Sequence, residues 1–317
     1  MNFQSISPIE NYQFYLDLAF RRAREKGKQL RSKKLKGGSL EKSKHIELMK
    51  MQVIADTISS RMQKIIFSFP NLDELDEFYR RLLKLSLDYR QLKKSLGAVD
   101  WLRKRAFNML KIYRSKLDKN RQFSRINAIK REFLGRISSM VRQVKDELDF
   151  LENARKIMKG FPTIKTSLKT AAIAGFPNVG KTTLLYKLSG SKADIKSYPF
   201  TTKGINVAYI GTGKQRIQLL DTPGTLDRFE KMNNIEKTAY LAIKYCADII
   251  VYVFDLTEEY PIGKQAKLYE KLKRDFDEDI LVYFSKSDII GDFGDFKKKY
   301  RGYDNSYKLR QELLDRL

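Results

Sequence analysis

One cysteine, one histidine and one tryptophan are all that this 317-residue chain holds of those residue types. The lone thiol, Cys246, excludes an internal disulfide and a cysteine-based zinc site. With His45 the only imidazole, transition-metal chemistry is not expected. Cys246 lies in the run KYCADIIVYV and reads as a small core residue, and Trp101 reads as core too. No apolar run approaches the roughly 20 residues of a membrane span. The N-terminus, MNFQSISPIENY, lacks the basic-then-apolar order of a secretory signal. These absences predict a reducing cytoplasm and no membrane partner.

Negative charge is also scarce. Against a formal net charge of +25 for the whole chain, residues 1–165 carry 38 Lys and Arg with only 18 Asp and Glu. The remainder, 166–317, carries 25 against 20. An excess confined to one half points to an acidic partner, nucleic acid before others.

The two halves also differ in pattern. Residues 1–165 read as long helices. From Ile126 through Ile129, Phe133, Ile137, Met140, Val144 and Leu148 to Leu151 the apolar steps are 3 or 4, one continuous stripe, with Gly160 as a stop. Asn71, with Asp73 and Glu74 behind it, is read as a helix start, and a second long helix is expected from about Leu92 to Leu117. The lysine-rich segment 30–44 reads as a loop, and helices joined by short breaks predict an antiparallel bundle. Beyond GFPTIKTSL, 160–168, the short apolar runs AAIA, VAYI, RIQLL, DIIVYVFDL and DILVYF alternate with helical stretches. Residues 166–317 are therefore expected to form an α/β domain, a mostly parallel sheet with helices on both faces and one antiparallel hairpin, VAYIGTGKQRIQLL.

The segment GFPNVGKTT, 175–183, follows strand AAIA and precedes helix TTLLYKL, which is the setting a phosphate-binding P-loop needs. Gly175 and Gly180 let the backbone wrap an anion. The amides of Phe176, Pro177's neighbours, Asn178, Val179 and the first helical residues through Thr183 then face it. Lys181 reaches the outer phosphates and Thr182 offers a hydroxyl to Mg²⁺. DTPG, 221–224, ends the strand RIQLL, so Asp221 can hold Mg²⁺ through water and the Gly224 amide can approach a γ-phosphate. YPFTT, 198–202, offers Thr201 or Thr202 to complete the metal shell. SKSD, 285–288, addresses the base: Asp288 can accept from N1 and N2 of guanine, donors that adenine lacks, while Lys286 can lie along the base and brace the P-loop.

In this order GFPNVGKTT, YPFTT, DTPG and NNIEKTAYLAI resemble the boxes of the Obg-related GTPases. With a basic helical domain in front, the whole chain resembles the nucleolar GTP-binding protein family. Because it stops soon after the helix YKLRQELLDRL, it is most similar to the compact archaeal form. The resemblance implies a GTPase that cycles between GTP and GDP with Mg²⁺, as a switch on the large ribosomal subunit precursor, whose ribosomal RNA the helical domain would contact. It implies Thr202 as the magnesium ligand of YPFTT, Lys181, Thr202 and Gly224 as the groups acting in hydrolysis, and Asn178 either as a K⁺ ligand or as a loop residue bonding its own backbone. A monomer is expected. Two departures stand out: Ser285 replaces the usual asparagine, and Thr225 and Leu226 stand where many GTPases carry a water-orienting glutamine. Slow hydrolysis alone, quickened by a ribosomal partner or K⁺, is the expectation. Asn305 and Ser306 either place amides on the guanine oxygen or Ser306 caps the helix behind it.

The candidates for RNA contact are Arg21, Arg22, Arg24, Arg31, Lys33 and Lys34, and separately Arg103, Lys104 and Arg105. The neighbouring Tyr12, Phe14, Tyr15 and Phe20 are read as core. Two rival functions remain open on the residues alone: a structural RNA-binding assembly factor with little hydrolysis, and a GTPase acting on another polyanion such as transfer RNA.

Overall fold

The computed structural model describes residues 3–190, 205–223, 232–257, 259–289 and 294–317. The chain divides into two compact units, Phe3–Asp73 with Leu87–Lys159, and Glu74–Ser86 with Gly160–Leu317.

The first unit is helical. Asn11 accepts a hydrogen bond from the Phe14 amide at 2.9 Å and so starts α1, Tyr12–Arg31. After a short basic loop, the Gly38 amide donates to Glu41 at 3.1 Å, and α2, Ser39–Ser68, begins. Asp88 caps α4, Tyr89–Lys119, whose inner face buries Leu92, Val99, Leu102, Ala106, Met109, Tyr113 and Leu117 at helical spacing. α2 packs against both α1 and α4, and α5, Phe123–Gln143, and α6, Lys145–Lys159, complete the unit.

Four expectations are corrected here. The stripe from Ile126 to Leu151 belongs to two helices, because Val144 leaves helical geometry at φ −100°, ψ 19°. Its 3- and 4-residue steps run on across the break, and Val144 itself stays buried, so spacing alone does not reveal it. Asn71 does not start a helix: its side chain accepts from the Asp73 amide at 3.2 Å in a local turn. Trp101 is 43 % exposed, since it falls beside the buried stripe of α4 rather than on it. Of the aromatic residues near the α1 arginines, Tyr15 is buried but Phe14 is exposed.

The next helix, α3 (Glu77–Ser86), lies within the first half of the sequence yet packs with the sheet unit, against α8 (Asn234–Cys246). Tyr79 explains the attachment. Its fully buried hydroxyl bonds the carbonyls of Pro162 and Ile164 at 3.0 and 2.8 Å and accepts from the Ile164 amide at 2.8 Å. Thr166 adds a bond to Asp76 at 2.7 Å.

The sheet has the order β2-β3-β1-β4-β5, from β1 (Thr170–Ala174), β2 (Asn206–Ile210), β3 (Ile217–Asp221), β4 (Ile249–Asp255) and β5 (Asp279–Ser285). All neighbours are parallel except β2 and β3, the expected hairpin. Alternation along the strands sends Ile173, Leu219, Val251 and Tyr283 to one face, under α7 (Lys181–Ser189) and α11 (Ser306–Arg316). Tyr252 points the other way, and its hydroxyl bonds the Gln265 carbonyl of α9 (Ile262–Asp275) at 2.7 Å. A further short helix, α10 (Gly294–Tyr300), was not foreseen from the sequence. Cys246 is partly buried, and burial pushes its thiol up to about 12, which fits an inert packing residue.

Candidate nucleotide-binding site

Because β1, β3, β4 and β5 are parallel, their C-terminal ends lie along one edge of the sheet, and β1, β3 and β5 lead into segments singled out above. The loop after β1 turns through Gly175 at φ +150°, Asn178 at +61° and Gly180 at +91°. Gly175 has no substitute, since a Cβ there would lie 2.7 Å from the Val253 carbonyl oxygen of β4. Asn is among the few other residues that tolerate the left-handed region. Phe176 and Pro177 are half-buried, the Phe176 ring lies 5.2 Å from that of Tyr260, and Val179 is fully buried. The loop thus hangs from an apolar anchor while Asn178 is exposed.

Lys181 opens α7 and is buried, its ammonium donating to the carbonyls of Gly175 at 3.1 Å and Phe176 at 2.5 Å. Burial lowers its pKa to about 8, against the opposing pull of Asp221. Thr182 and Thr183 are exposed on the first turn. The Thr182 hydroxyl donates to Asp221 Oδ2 at 2.6 Å, and the Asn206 amide donates to the same oxygen at 3.0 Å. A hydroxyl and a carboxylate meeting in this way are the hard oxygen donors that Mg²⁺ takes, one directly and one through water. Thr222, the next residue, is pinned by its hydroxyl to the Ile173 carbonyl at 2.8 Å, which fixes the end of β3 beside β1.

On the far side, Ser285 is buried and donates to the Phe254 carbonyl at 3.0 Å, and a Cβ added to Gly180 would lie 3.6 Å from the Ser285 Cβ. Its side chain is thus tied to β4, and it lacks an amide fork. Lys286 adopts φ +56° and extends its ammonium to Asp255 at 2.7 Å and Glu259 at 3.2 Å. Asp255 is fully buried. Burial opposes its ionisation, but hydrogen bonds from Lys286 and Thr257 outweigh that and hold its carboxyl below the usual range. Gln265 completes the support: its side chain accepts from the Asp255 amide at 2.9 Å and donates to the Asp255 carbonyl at 2.7 Å. Asp288 is exposed just beyond.

Tyr303 forms a parallel bridge to Tyr283, so the chain passes beside β5 just before α11. The cap of α11 is Asn305, whose side chain accepts from the Tyr307 and Lys308 amides at 2.8 and 3.3 Å. The alternative in which Ser306 caps this helix is corrected accordingly: Ser306 is its first residue, and the better N-cap acceptor stands one place earlier.

The structure thus gathers Phe176 to Thr183, Asp221, Ser285 and Lys286 at one sheet edge. Thr201, Thr202, Gly224, Thr225 and Leu226 lie outside the described residues. Sequence reasoning missed Asn206, Asp255, Thr257 and Gln265. For Asn206 the signal is strand register, in which it pairs with Asp221. For Gln265 no local signal exists.

The basic candidates sit in the helical unit. Arg21, Arg22, Arg24 and Arg31 are exposed on α1, and Lys33 and Lys34 are exposed in the loop after it. On α4, Arg105 is exposed, whereas Arg103 and Lys104 both pair with Asp100, at 2.7 and 2.6 Å. Their charge is partly spent within the helix.

Known families match the two halves of the sequence, with α3 falling inside the first match. Residues 3–165 match the NOG1 N-terminal helical domain, and residues 170–286 match the family described as 50S ribosome-binding GTPase. An uncharacterized protein of Methanocaldococcus jannaschii is 38% identical over 86% of this chain and 77% of its own length. Nucleolar GTP-binding protein 1 of Saccharomyces cerevisiae is 31% identical over 77% of this chain, which spans 38% of that longer protein. Among solved structures, Aquifex aeolicus Era bound to GDP and AlF4⁻ is similar over 47% of this chain and 57% of its own, with 24% identity and a TM-score of 0.37.

Proposed function

This chain belongs to the NOG1 family, and from that premise we propose that it binds and hydrolyses GTP as a switch in assembly of the large ribosomal subunit, its helical unit holding ribosomal RNA. The observation that carries the nucleotide reading is the meeting of Lys181, Thr182 and Asp221 where β1 and β3 end. Lys181 is the cation for the outer phosphates. Its two carbonyl partners already hold it at the loop, so little ordering remains when an anion arrives. Thr182 and Asp221 are the protein's donors to Mg²⁺, with Thr202 as the further hydroxyl. The metal, when bound, neutralises charge between the β- and γ-phosphates. Asn206 holds Asp221 in place for that task. Asp288 reads the guanine edge, and Lys286, steadied by Asp255 and Glu259, lies along the base.

Without a glutamine after DTPG, the chain offers no side chain there to orient water, and turnover alone is slow. Acceleration comes from the ribosomal particle or from K⁺ held by Asn178. The same missing glutamine, together with Ser285, favours the second reading, in which the nucleotide only stabilises an RNA-bound shape. Multiple-turnover GTP hydrolysis with and without large ribosomal subunits separates the two. The switch predicts stimulated turnover that falls on the order of a hundredfold or more in Lys181→Ala. Hydrolysis by Lys181→Ala as fast as by the parent chain rules out the assignment. Co-sedimentation with transfer RNA but not with subunits moves the partner to another polyanion.

A further inference from the structure

The helical unit holds a half-open cavity of about 270 Å³ between α1, α2 and α5. Phe20, Met51, Ile54 and Leu134 give it an apolar floor. One wall is different. Glu47 is only 7 % exposed, yet both its oxygens accept from the Lys50 ammonium, at 2.8 and 2.9 Å, and the Lys130 ammonium stands 3.9 Å away. A buried ion pair returns roughly what its desolvation costs, so fold stability does not account for its presence. The backbone is adapted to it as well. A Cβ on Gly27 of α1 would lie 3.0 Å from Lys50 Cδ, so the glycine clears the space in which the lysine stem lies. At the mouth stand Arg24, exposed, and Lys130, and the outer face of α1 continues with exposed Arg21, Lys28 and Arg31.

We propose that this cavity takes one unstacked nucleobase of single-stranded RNA, its ring on Phe20, Met51 and Leu134 and its hydrogen-bonding edge toward Glu47 and Lys50. The flanking phosphates rest on Arg24 and Lys130. This inference depends on the RNA-binding reading of the helical unit. Each part of the cavity selects for the occupant. An aliphatic group makes no use of the polar Glu47–Lys50 edge. A free phosphate has no use for an apolar floor. A paired base stays in its stack, whereas a splayed one presents both a flat apolar face and a polar edge. Drug-sized sites begin near roughly 300 Å³, so this space suits one ring system, with sugar and phosphate left at the charged mouth.

The test uses the full chain and a single-stranded RNA of about 12 nucleotides containing 2-aminopurine. Bound 2-aminopurine should be shielded from acrylamide quenching. Leu134→Trp, which fills the cavity, should abolish the shielding and weaken binding roughly tenfold with an unchanged salt slope, because base contact is lost and phosphate contacts are kept. Arg24→Ala should instead lower the slope by about one. Thermal melting and GDP binding of each variant report that the fold is intact. Should Leu134→Trp fail to fold, shielding in the parent chain decides alone. RNA binding without shielding, or equal affinity in a folded Leu134→Trp, overturns the pocket and leaves RNA binding standing. No binding of single-stranded RNA overturns both. Displacement of a ribosomal-protein peptide by the filling substitution, with RNA binding unchanged, overturns the proposal in favour of a protein side chain.

Discussion

The sheet unit and the helical unit use polar residues in opposite ways. In the sheet unit, Lys181, Asp221, Thr222, Asp255 and Ser285 are buried where parallel strands end, with Thr170, Gln218 and Gln265 buried elsewhere. Each has a fixed partner. In the helical unit the buried polar residues are few and scattered, Glu47, Thr57, Ser59, Ser95 and Asn120, while its large positive excess is spread over the surface. Geometry concentrated at a point fails when one atom is removed. Charge spread over a surface weakens by degrees. The two units should therefore respond differently to single substitutions.

The sharpest contrast is expected at Asp221. Asp221→Asn should weaken the Mg²⁺-dependent part of guanine nucleotide binding on the order of a hundredfold, while leaving Mg²⁺-independent affinity nearly unchanged. Fluorescent-nucleotide titration at high and low Mg²⁺ measures it, and an equal loss under both conditions would break the metal assignment. Tyr79→Phe comes next. It strands the Ile164 amide and two carbonyls, a loss of about 2 kcal/mol. Hydrogen exchange should show loosening in α3 and the sheet, with α2 and α4 unaffected. Spread-out loosening in α2 would argue against the grouping of α3 with the sheet. Replacing Arg21 and Arg22 together by alanine should lower RNA affinity about tenfold near physiological salt and flatten the salt slope by about two, with no loss of GTP turnover in RNA's absence.

The smallest effect is at Glu152, which accepts from Arg155 at 2.7 Å and from the Ile9 amide at 3.1 Å. The Arg155 hydrogen bonds hold its carboxyl below the usual range, against a smaller opposing effect of burial. A carboxyl depressed in the folded state stabilises above its unfolded pKa, about 4.3, and that contribution is lost as pH falls through the lower folded value. Glu152→Gln should thus cost about 1 kcal/mol at pH 7, and the difference from the parent chain in urea unfolding should shrink on acidification below that range.

The same contrast explains what could be read from the sequence. The P-loop was legible because phosphate chemistry demands glycines, a lysine and a hydroxyl at fixed spacing, between a strand and a helix. The strand alternation and the β2–β3 hairpin were legible for similar local reasons. Asn206 and Gln265 were not, because their partners Asp221 and Asp255 are set by register and packing across the sheet. Val144 was missed because a one-residue break leaves the apolar stripe in phase. The place of α3 was missed because one hydroxyl, on Tyr79, ties it to a segment more than eighty residues away. The basic surface was visible as composition, but not the pairing of Arg103 and Lys104 with Asp100.

Calorimetric titration of the purified chain with GDP, GTP and ATP in the presence of Mg²⁺ tests the central claim most directly. One guanine nucleotide per chain, with ATP giving no heat, is the predicted result. A folded chain that takes up neither GDP nor GTP would contradict the account.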